Sequence, residues 1–388
     1  MKHVLLIGAL LVSSATCAQQ WRVSGYWRTM PSWTQITFLD AEPMSQAYLH
    51  QRTNVRYKHG AFTVRLEART RLFYGSQVER TLGFAEGIGT DAGIWDGSWN
   101  WWEAEKGVAN TLIDRALVSY RNGPWRVDVG RQRINWGRHT VWNPNDLFNA
   151  YNFFDFDYAE RPGTDAVRVR RAVGGNGMNE VELAARPGGA DRASLVAGLF
   201  RFNLKGVDGQ ILAAHIEGAP AVGAAASVGW GPLAFKGEAT AFGASPTWGD
   251  SAIWSGTVGV EATWGEGNFA QLAVLRTPGV GGLFLTGTAA QTQQPWALLP
   301  FGLTTMAQIQ VPIGPRFRAG SALLYAPEDR ALIGMPTVTF DAAQNLTASC
   351  VVQHLRMPSP FAPTGDMEPL STSIFCSLQW NFRKQWKR

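Results

Sequence analysis

Apolar and polar residues alternate with a period of two along most of the chain, which is the spacing of β-strands. In residues 61–72, for example, Phe62, Val64 and Leu66 fall on one face, and charged or hydroxylated side chains fall on the other. A soluble β-sandwich shows the same alternation, but its strands average about 5 to 6 residues, whereas membrane-barrel strands have about 9 to 11. Because the alternating runs here are long, the pattern favours a membrane barrel.

The alternation predicts about eighteen strands, and strand numbers from sixteen to eighteen are consistent with the pattern. The predicted strands cover residues 21–28, 48–57, 61–73, 111–121, 125–133, 165–173, 179–185, 192–202, 207–217, 221–230, 233–243, 253–264, 269–276, 303–311, 317–325, 335–340, 346–355 and 373–382. Long connections separate some of them, at residues 74–110, 134–164, 277–302 and 357–372.

Short connections separate the others and contain the Gly, Asn and Pro residues of tight turns, as at residues 58–60, 122–124 and 231–232. Outer-membrane barrels place short turns in the periplasm and long loops outside the cell. The predicted fold is therefore all-β, a transmembrane antiparallel up-and-down β-barrel of about 18 strands with short periplasmic turns and long extracellular loops.

Composition supports this class. Only 17% of residues are charged, Gly accounts for 42 of 388 residues, and the 17 Trp are more than twice the 8 Tyr. Beyond the first residues, no apolar run reaches the roughly 18 residues of a transmembrane helix. The formal net charge of +5 is too small to indicate a nucleic-acid partner. Three cysteines are too few for a disulfide scaffold.

Residues 1–18 have the pattern of a secretory signal peptide, with a short basic start, a short apolar core and small residues at the end. The expected cleavage is before Gln19, which leaves residues 19–388 as a single barrel domain in the bacterial outer membrane. The alternatives are lipidation at Cys17 and a buried N-terminal helix.

The C-terminal strand also has the pattern of a membrane barrel. Residues 374–382 alternate like the final strand of outer-membrane barrels, although the tail at 383–388 departs by continuing past Phe382. Cys350 and Cys376 lie on the last two predicted strands. They could pair across neighbouring strands in an oxidising periplasm or face lipid singly, and the lack of a short-loop framework favours unpaired residues.

Arginines follow one face of several strands in the first half of the chain, where 24 of the 35 basic and 19 of the 30 acidic residues lie, in residues 1–202. An Arg that faces hydrocarbon at the midplane costs about 2 to 4 kcal/mol, so these rows are expected to face the interior. The predicted pore-lining residues are Arg52, Arg56, Arg65, Glu67, Arg69, Arg71, Arg168 and Arg170. Two interpretations stay open: an arginine-lined pore for anions or hydroxyl-rich solutes, and an internal salt-bridge network that conducts nothing specific.

Residues 134–164 form a connection that is too aromatic for a loop surrounded by water. We predict that this loop folds into the lumen, with its apolar side chains on the wall and its polar side chains toward the channel. The residues expected to shape a constriction are Arg131, Trp136, Asn143, Asp146 and Asn149. The alternative is a compact loop that only rigidifies the barrel.

The same region carries a sequence pattern that resembles a group of porin-like Gram-negative outer-membrane barrels, most of them uncharacterised. The pattern is GRQxxxWG, NPxDxFN and RxGxDAxR, and it matches residues 130–137, 143–149 and 161–168. The specific match is confined to residues 130–168, and the rest of the chain matches only as a barrel. The resemblance implies an outer-membrane channel or transport role and no known cofactor.

The leading functional hypothesis is a porin-like channel for passive passage of small hydrophilic solutes, with anions and carbohydrates as candidates. Its partners would be outer-membrane lipid and these solutes, and the sequence leaves open whether the chain forms a homo-oligomer. The competing hypothesis is a non-conducting surface or assembly barrel that acts through its long loops.

An enzyme is not expected, and an outer-membrane hydrolase is the third hypothesis. It would use His139 as a base with Asp146 or Asn143 to orient it, but no serine has a recognisable nucleophile setting. The six His show no metal-ligand spacing. The sequence therefore predicts no catalytic residue, no metal site and no cofactor.

Overall fold

The computed structural model describes residues 19–39, 41–91, 93–150, 163–174, 179–189, 193–279, 294–359 and 365–387. Two short helices, α1 (Ser76–Arg80) and α2 (Phe84–Gly89), and a 3-10 turn (Thr37–Leu39) accompany twenty strands in these ranges. The strands are β1 (Gln20–Thr29), β2 (Ser32–Ile36), β3 (Met44–His59), β4 (Phe62–Tyr74), β5 (Ser98–Ala104), β6 (Gly107–Asn122), β7 (Trp125–Gln132), β8 (Thr164–Val173), β9 (Asn179–Arg186), β10 (Leu195–Leu204), β11 (Val207–Ile216), β12 (Ala219–Trp230), β13 (Leu233–Phe242), β14 (Ile253–Trp264), β15 (Asn268–Arg276), β16 (Leu303–Ile313), β17 (Phe317–Ala326), β18 (Ala331–Ala343), β19 (Leu346–Met357) and β20 (Glu368–Lys387).

The strands form one closed antiparallel sheet, which β1 and β20 close with Gln20 opposite Lys387. β2 follows β1 at the same place in the barrel wall, because both strands pair with β3 and β20. β5 pairs with the first residues of β6, and β7 pairs with the remainder of β6 on the same side. The wall therefore has eighteen strand positions, which confirms the predicted fold class.

The two ends of the barrel differ in their connections. One end, here the turn end, carries tight turns such as those at Gly60 and Gly123, whose φ angles of 55° and 54° suit glycine. The opposite loop end carries most of the long connections. The predicted alternation of short and long connections is incomplete, because Glu217 and Gly218 alone join β11 to β12 at the loop end.

Aromatic side chains form an exposed belt on the outer face near the turn end. Its members are Trp21, Phe62, Tyr120, Trp125, Trp230, Trp264, Phe317, Trp380 and Trp386. Such a belt is typical of the interface between hydrocarbon and water around a membrane barrel.

Apolar side chains on the inner face of the loop-end half pack against segments that fold inward. Residues 133–150 and 294–302 contribute to two clusters, in which Trp142 packs near Leu275 and Leu299, and Trp136 packs near Leu195 and Phe242. Helices α1 and α2 cover a third cluster beside β3, β4 and β6. The described parts of these segments therefore cover the inner wall of the loop-end half.

The structure adds elements that the alternation did not predict. β2, β5, α1 and α2 lie in segments predicted as connections, and residues 383–387 extend β20, with Trp386 opposite Trp21. The predicted signal peptide lies outside the described residues, as do residues 151–162 of the predicted inward loop. No helix in the described ranges has the length and apolar character needed to cross a membrane.

Replacing Gly25 with alanine is expected to destabilise the barrel at the β1–β3 pairing. A Cβ there would lie 1.9 Å from the carbonyl oxygen of Arg52 and 2.8 Å from the ring of Phe382, so backbone must shift. The expected cost is about 1 to 3 kcal/mol, measured as a lower midpoint of denaturant unfolding in detergent. Gly334→Ala is the matched control, since nothing lies within 4 Å of its added Cβ. Equal midpoints for the two variants would contradict this close approach.

Candidate functional site: the barrel lumen

Residues 133–150 leave β7 and run along the inner face of the barrel, where Glu238 of β13 anchors them. Its carboxylate, 4% exposed, accepts hydrogen bonds from the backbone N–H groups of Arg138 at 2.5 Å, His139 at 2.8 Å and Asn145 at 3.1 Å. These three bonds give an acceptor to backbone donors that would otherwise lack one. Glu238 is therefore the main polar attachment of this inward loop to the β13 side of the wall.

Trp136 attaches the inward loop to β9. Its indole N–H donates to Oε1 of Glu182 at 2.6 Å, and both side chains are fully buried. Arg168 donates to both oxygens of the same carboxylate, at 2.5 and 2.7 Å, and Arg201 donates to Oε2 at 3.3 Å. Because a buried carboxylate needs such partners, part of the arginine row serves to attach the loop to the wall.

The three polar residues predicted in the constriction are buried within the loop. Asn149 accepts a hydrogen bond from the N–H of Ile134 at 2.8 Å, and Asn143 donates to the carbonyl oxygen of His139 at 2.5 Å. Asp146 accepts a longer bond of 3.4 Å from the loop backbone. These residues set the shape of the loop by bonding to its backbone.

A cavity of about 420 Å³ lies on the inner face of β3, β4, β6, β7 and β8. Its described charged lining comprises six arginines and two carboxylates: Arg65, Arg115, Arg126, Arg133, Arg168, Arg170, Glu67 and Asp128. Positive charge thus exceeds negative charge among these residues, four of which (Arg65, Glu67, Arg168 and Arg170) the sequence predicted to line a pore.

Two arginines beside this cavity are not neutralised. Arg56 and Arg65 lie opposite one another on β3 and β4, and Arg22 of β1 lies opposite Arg56. Within the described ranges neither Arg56 nor Arg65 has a carboxylate partner, and the Nε of Arg65 is buried without a hydrogen bond. Guanidinium groups in this state offer planar donors to an anion.

The other predicted arginines are held by polar partners. Arg52 is fully buried and donates to Glu67 at 2.7 Å and to Asp114 at 2.8 Å. Arg71 donates to Asn110 at 2.8 Å, and Arg69, which is also buried, lies opposite Arg52 on the neighbouring strand. Arg170 pairs with Asp128 at 2.7 Å. This part of the row stabilises the wall.

Arg131 binds partners that lie outside residues 133–150. By alternation it points to the opposite face of β7 from Asp128, and its guanidinium donates to Asp165 at 3.0 Å and to Asp91 at 2.6 Å. The ring of Trp95 lies 4.3 Å from the guanidinium carbon. These partners hold Arg131 at the junction of β7, β8 and the segment before β5, and the structure does not bring it together with Asn143, Asp146 and Asn149.

The inner face across the barrel is mostly uncharged. A smaller cavity of about 230 Å³ lies along β16, β17 and β18 and is lined by Gln308, Gln310, Thr337 and Thr339. Its lining also includes Arg318, which pairs with Asp341 at 3.0 Å. Amide and hydroxyl groups therefore face the arginine-rich side.

His139 is buried in the inward loop, 4% exposed, and its Nδ1 accepts a hydrogen bond from the N–H of Val141 at 3.3 Å. Burial lowers the pKa of His139 to about 4, so the ring is neutral at pH 7. It does not provide the exposed base that the hydrolase hypothesis requires. Among the described residues, no group of three or more His, Cys, Asp or Glu is placed to bind a metal ion.

Acidification is expected to destabilise the loop through His139. Its pKa of about 4 in the folded protein is below the ordinary 6.5, so the unfolded chain takes up the proton first as pH falls. The contribution of His139 to the free energy of unfolding is fully present above pH 6.5. It falls by up to roughly 3 kcal/mol as the pH decreases toward 4. Thermal unfolding in detergent at pH 7 and pH 4.5 should show a smaller pH-dependent loss of Tm for His139→Gln than for the natural chain. Equal losses would show that His139 is not the group responsible.

No family profile and no curated protein sequence matches this chain. Solved structures do match its fold. Acinetobacter baumannii OccAB4 has a TM-score of 0.59 at 9% identity and covers 95% of this chain and 98% of its own. Pseudomonas aeruginosa OccK5 (OpdH) has a TM-score of 0.58 at 8% identity, covering 93% and 98%, and OccK8 (OprE) from the same organism has 0.58 at 8%, covering 94% and 98%. Identities this low show a shared fold.

Proposed function

We propose that the protein is an outer-membrane channel through which small hydrophilic solutes pass passively, with a preference for anions. The observation that carries the proposal is the pair Arg56 and Arg65, neither of which has a carboxylate partner in the described ranges. Arg65 lines an arginine-rich cavity inside a closed barrel, and Arg56 lies opposite Arg65 on the neighbouring strand. The solved structures of similar fold are outer-membrane porins, which supports the location and the channel role. The exposed aromatic belt supports a membrane setting.

In this proposal, residues 1–18 direct export, residues 19–388 form the barrel, and the loop of residues 134–164 narrows its lumen. The turn end faces the periplasm and the loop end faces the exterior. An entering anion is attracted by the arginine side, and the amide and hydroxyl groups of β16–β18 are suited to hydrogen-bond the hydroxyl groups of carbohydrates.

Conductance of the purified barrel in a planar bilayer tests the proposal. A salt gradient across the membrane gives the reversal potential, and we expect steady single-channel currents with a preference for chloride over potassium. Liposome swelling with neutral sugars tests passage of uncharged solutes separately. Correctly folded, inserted barrels that carry no current would overturn the channel role.

The second candidate is a non-conducting surface or assembly barrel. The apolar clusters of the loop-end half favour it, because residues 133–150 and 294–302 pack against the inner wall there. It predicts inserted barrels without current in the same bilayer experiment, so one measurement distinguishes the two functions.

A further inference from the structure

Two cysteines occupy directly opposite positions on the outer face of the barrel. Cys350 of β19 pairs in register with Cys376 of β20. Cys376 lies between the exposed, outward-facing Ile374 and Leu378, and Val338, exposed on β18, is the register partner of Cys350 on its other side. Both thiols therefore belong to the apolar outer surface.

The backbone at this position brings the two side chains close together. The N–H of Cys376 donates to the carbonyl oxygen of Pro31 at 3.1 Å, on the side of β1 and β2. Its hydrogen-bonding groups thus point away from β19, and Cys350 and Cys376 form a non-hydrogen-bonded pair. In such pairs the Cα atoms are about 4.5 Å apart, within the roughly 4.4 to 6.8 Å that a disulfide requires.

We propose that Cys350 and Cys376 are oxidised to a disulfide in the periplasm, before the barrel inserts into the membrane. The oxidant is a disulfide-bearing thiol oxidoreductase. The thiolate of one cysteine attacks the oxidant's disulfide and forms a mixed disulfide, and the second thiolate then displaces the oxidant's sulfur. Two protons and two electrons leave the cysteines, and the oxidant departs as a dithiol. The proposal rests on the outer-membrane location proposed above.

The order of the two steps follows from the position of the thiols. Once the outer face is surrounded by hydrocarbon, neither a thiolate nor a water-soluble oxidant reaches them, because charged groups are excluded there. Before insertion the chain is exposed to the oxidising periplasm. The resulting bond joins β19 to β20, next to the place where β20 pairs with β1. The long connection between β19 and β20 then becomes part of a covalently closed loop.

The test is the thiol state of the full chain, expressed with residues 1–18 in a Gram-negative host and recovered from the outer membrane. The protein is unfolded without reductant in the presence of iodoacetamide and examined by intact mass and peptide mapping. We expect no alkylation, a mass lower by two hydrogen atoms, and a linked peptide pair containing Cys350 and Cys376. Alkylation of both cysteines in outer-membrane protein would overturn the disulfide while leaving the location intact. Absence from the outer-membrane fraction would instead count against the proposed function.

A second measurement separates a bond formed before insertion from one formed during extraction. A charged, water-soluble phosphine should leave the bond intact in the folded barrel and reduce it once the barrel is unfolded. Cys350→Ser and Cys376→Ser are the controls, and each should fold and take up one alkyl group. Host cells that lack the periplasmic oxidant should yield an inserted barrel with both thiols free. A disulfide in those cells would contradict the proposed step.

Discussion

Replacing Glu238 with alanine is expected to release the inward loop and to enlarge the channel. The substitution leaves three buried backbone N–H groups without an acceptor, at Arg138, His139 and Asn145. Each unsatisfied donor costs about 1 to 3 kcal/mol in place, so the loop is expected to move where water can reach these groups. Single-channel recording should show a larger and noisier conductance than that of the natural chain.

Two further variants make the result specific to the anchor. Glu238→Gln keeps the size of the side chain but turns one acceptor oxygen into an NH2 donor, so it should enlarge the conductance in the same direction and to a smaller extent. Glu266→Gln removes a carboxylate from an exposed turn-end position and should change nothing. An unchanged conductance in Glu238→Ala would mean that the remaining attachments hold the loop, namely Trp136 to Glu182 and Thr240 to Pro144 and Asn145.

The barrel wall was predictable because its chemistry is local. Successive side chains of a strand face lipid and the lumen in turn. Apolar residues such as Val64 and Leu66 therefore mark the outer face, and charged residues such as Arg65 and Glu67 mark the inner face, without tertiary information. β5 could not be found in this way, because its run of Trp and polar residues does not alternate and a bulge interrupts its pairing between Asn100 and Trp102.

The candidate site was less predictable because it depends on distant pairings. Arg115 was missed because a bulge opposite Glu67 shifts the alternation of β6, and Asp114 lies at that shift. Nothing in the sequence around Glu238 marks it as the anchor of a loop about a hundred residues earlier. Arg131 was placed in the constriction because it directly precedes the loop, whereas alternation with Asp128 puts it on the other face of β7.

Replacing Arg56 and Arg65 together with glutamine is expected to remove most of the preference for anions while leaving the barrel folded. Neither guanidinium has a carboxylate partner in the described ranges, so the substitution leaves no carboxylate without its cation. A unit charge about 4 Å from a passing ion contributes about 1 kcal/mol even in water, and the loss of two such charges should lower the chloride-to-potassium permeability ratio several-fold. Removal of the repulsion among Arg22, Arg56, Arg65 and Arg126 should also leave stability equal or slightly higher.

The matched control for this variant removes two positive charges from the loop end instead of from the lumen. Arg276 pairs there with the exposed Glu328, and Arg330 donates to the backbone of Gly365. The double variant Arg276→Gln and Arg330→Gln has the same net charge as the lumen variant, so a field set by overall charge would shift both reversal potentials equally. If the two lumen arginines set the selectivity locally, only the Arg56 and Arg65 variant should show a large shift of the reversal potential. Charges at the loop end are too far from the ion path to act, because salt screens charges beyond roughly 10 Å at 0.1 M. Equal shifts would assign the selectivity to the whole protein and would remove the two arginines from the mechanism.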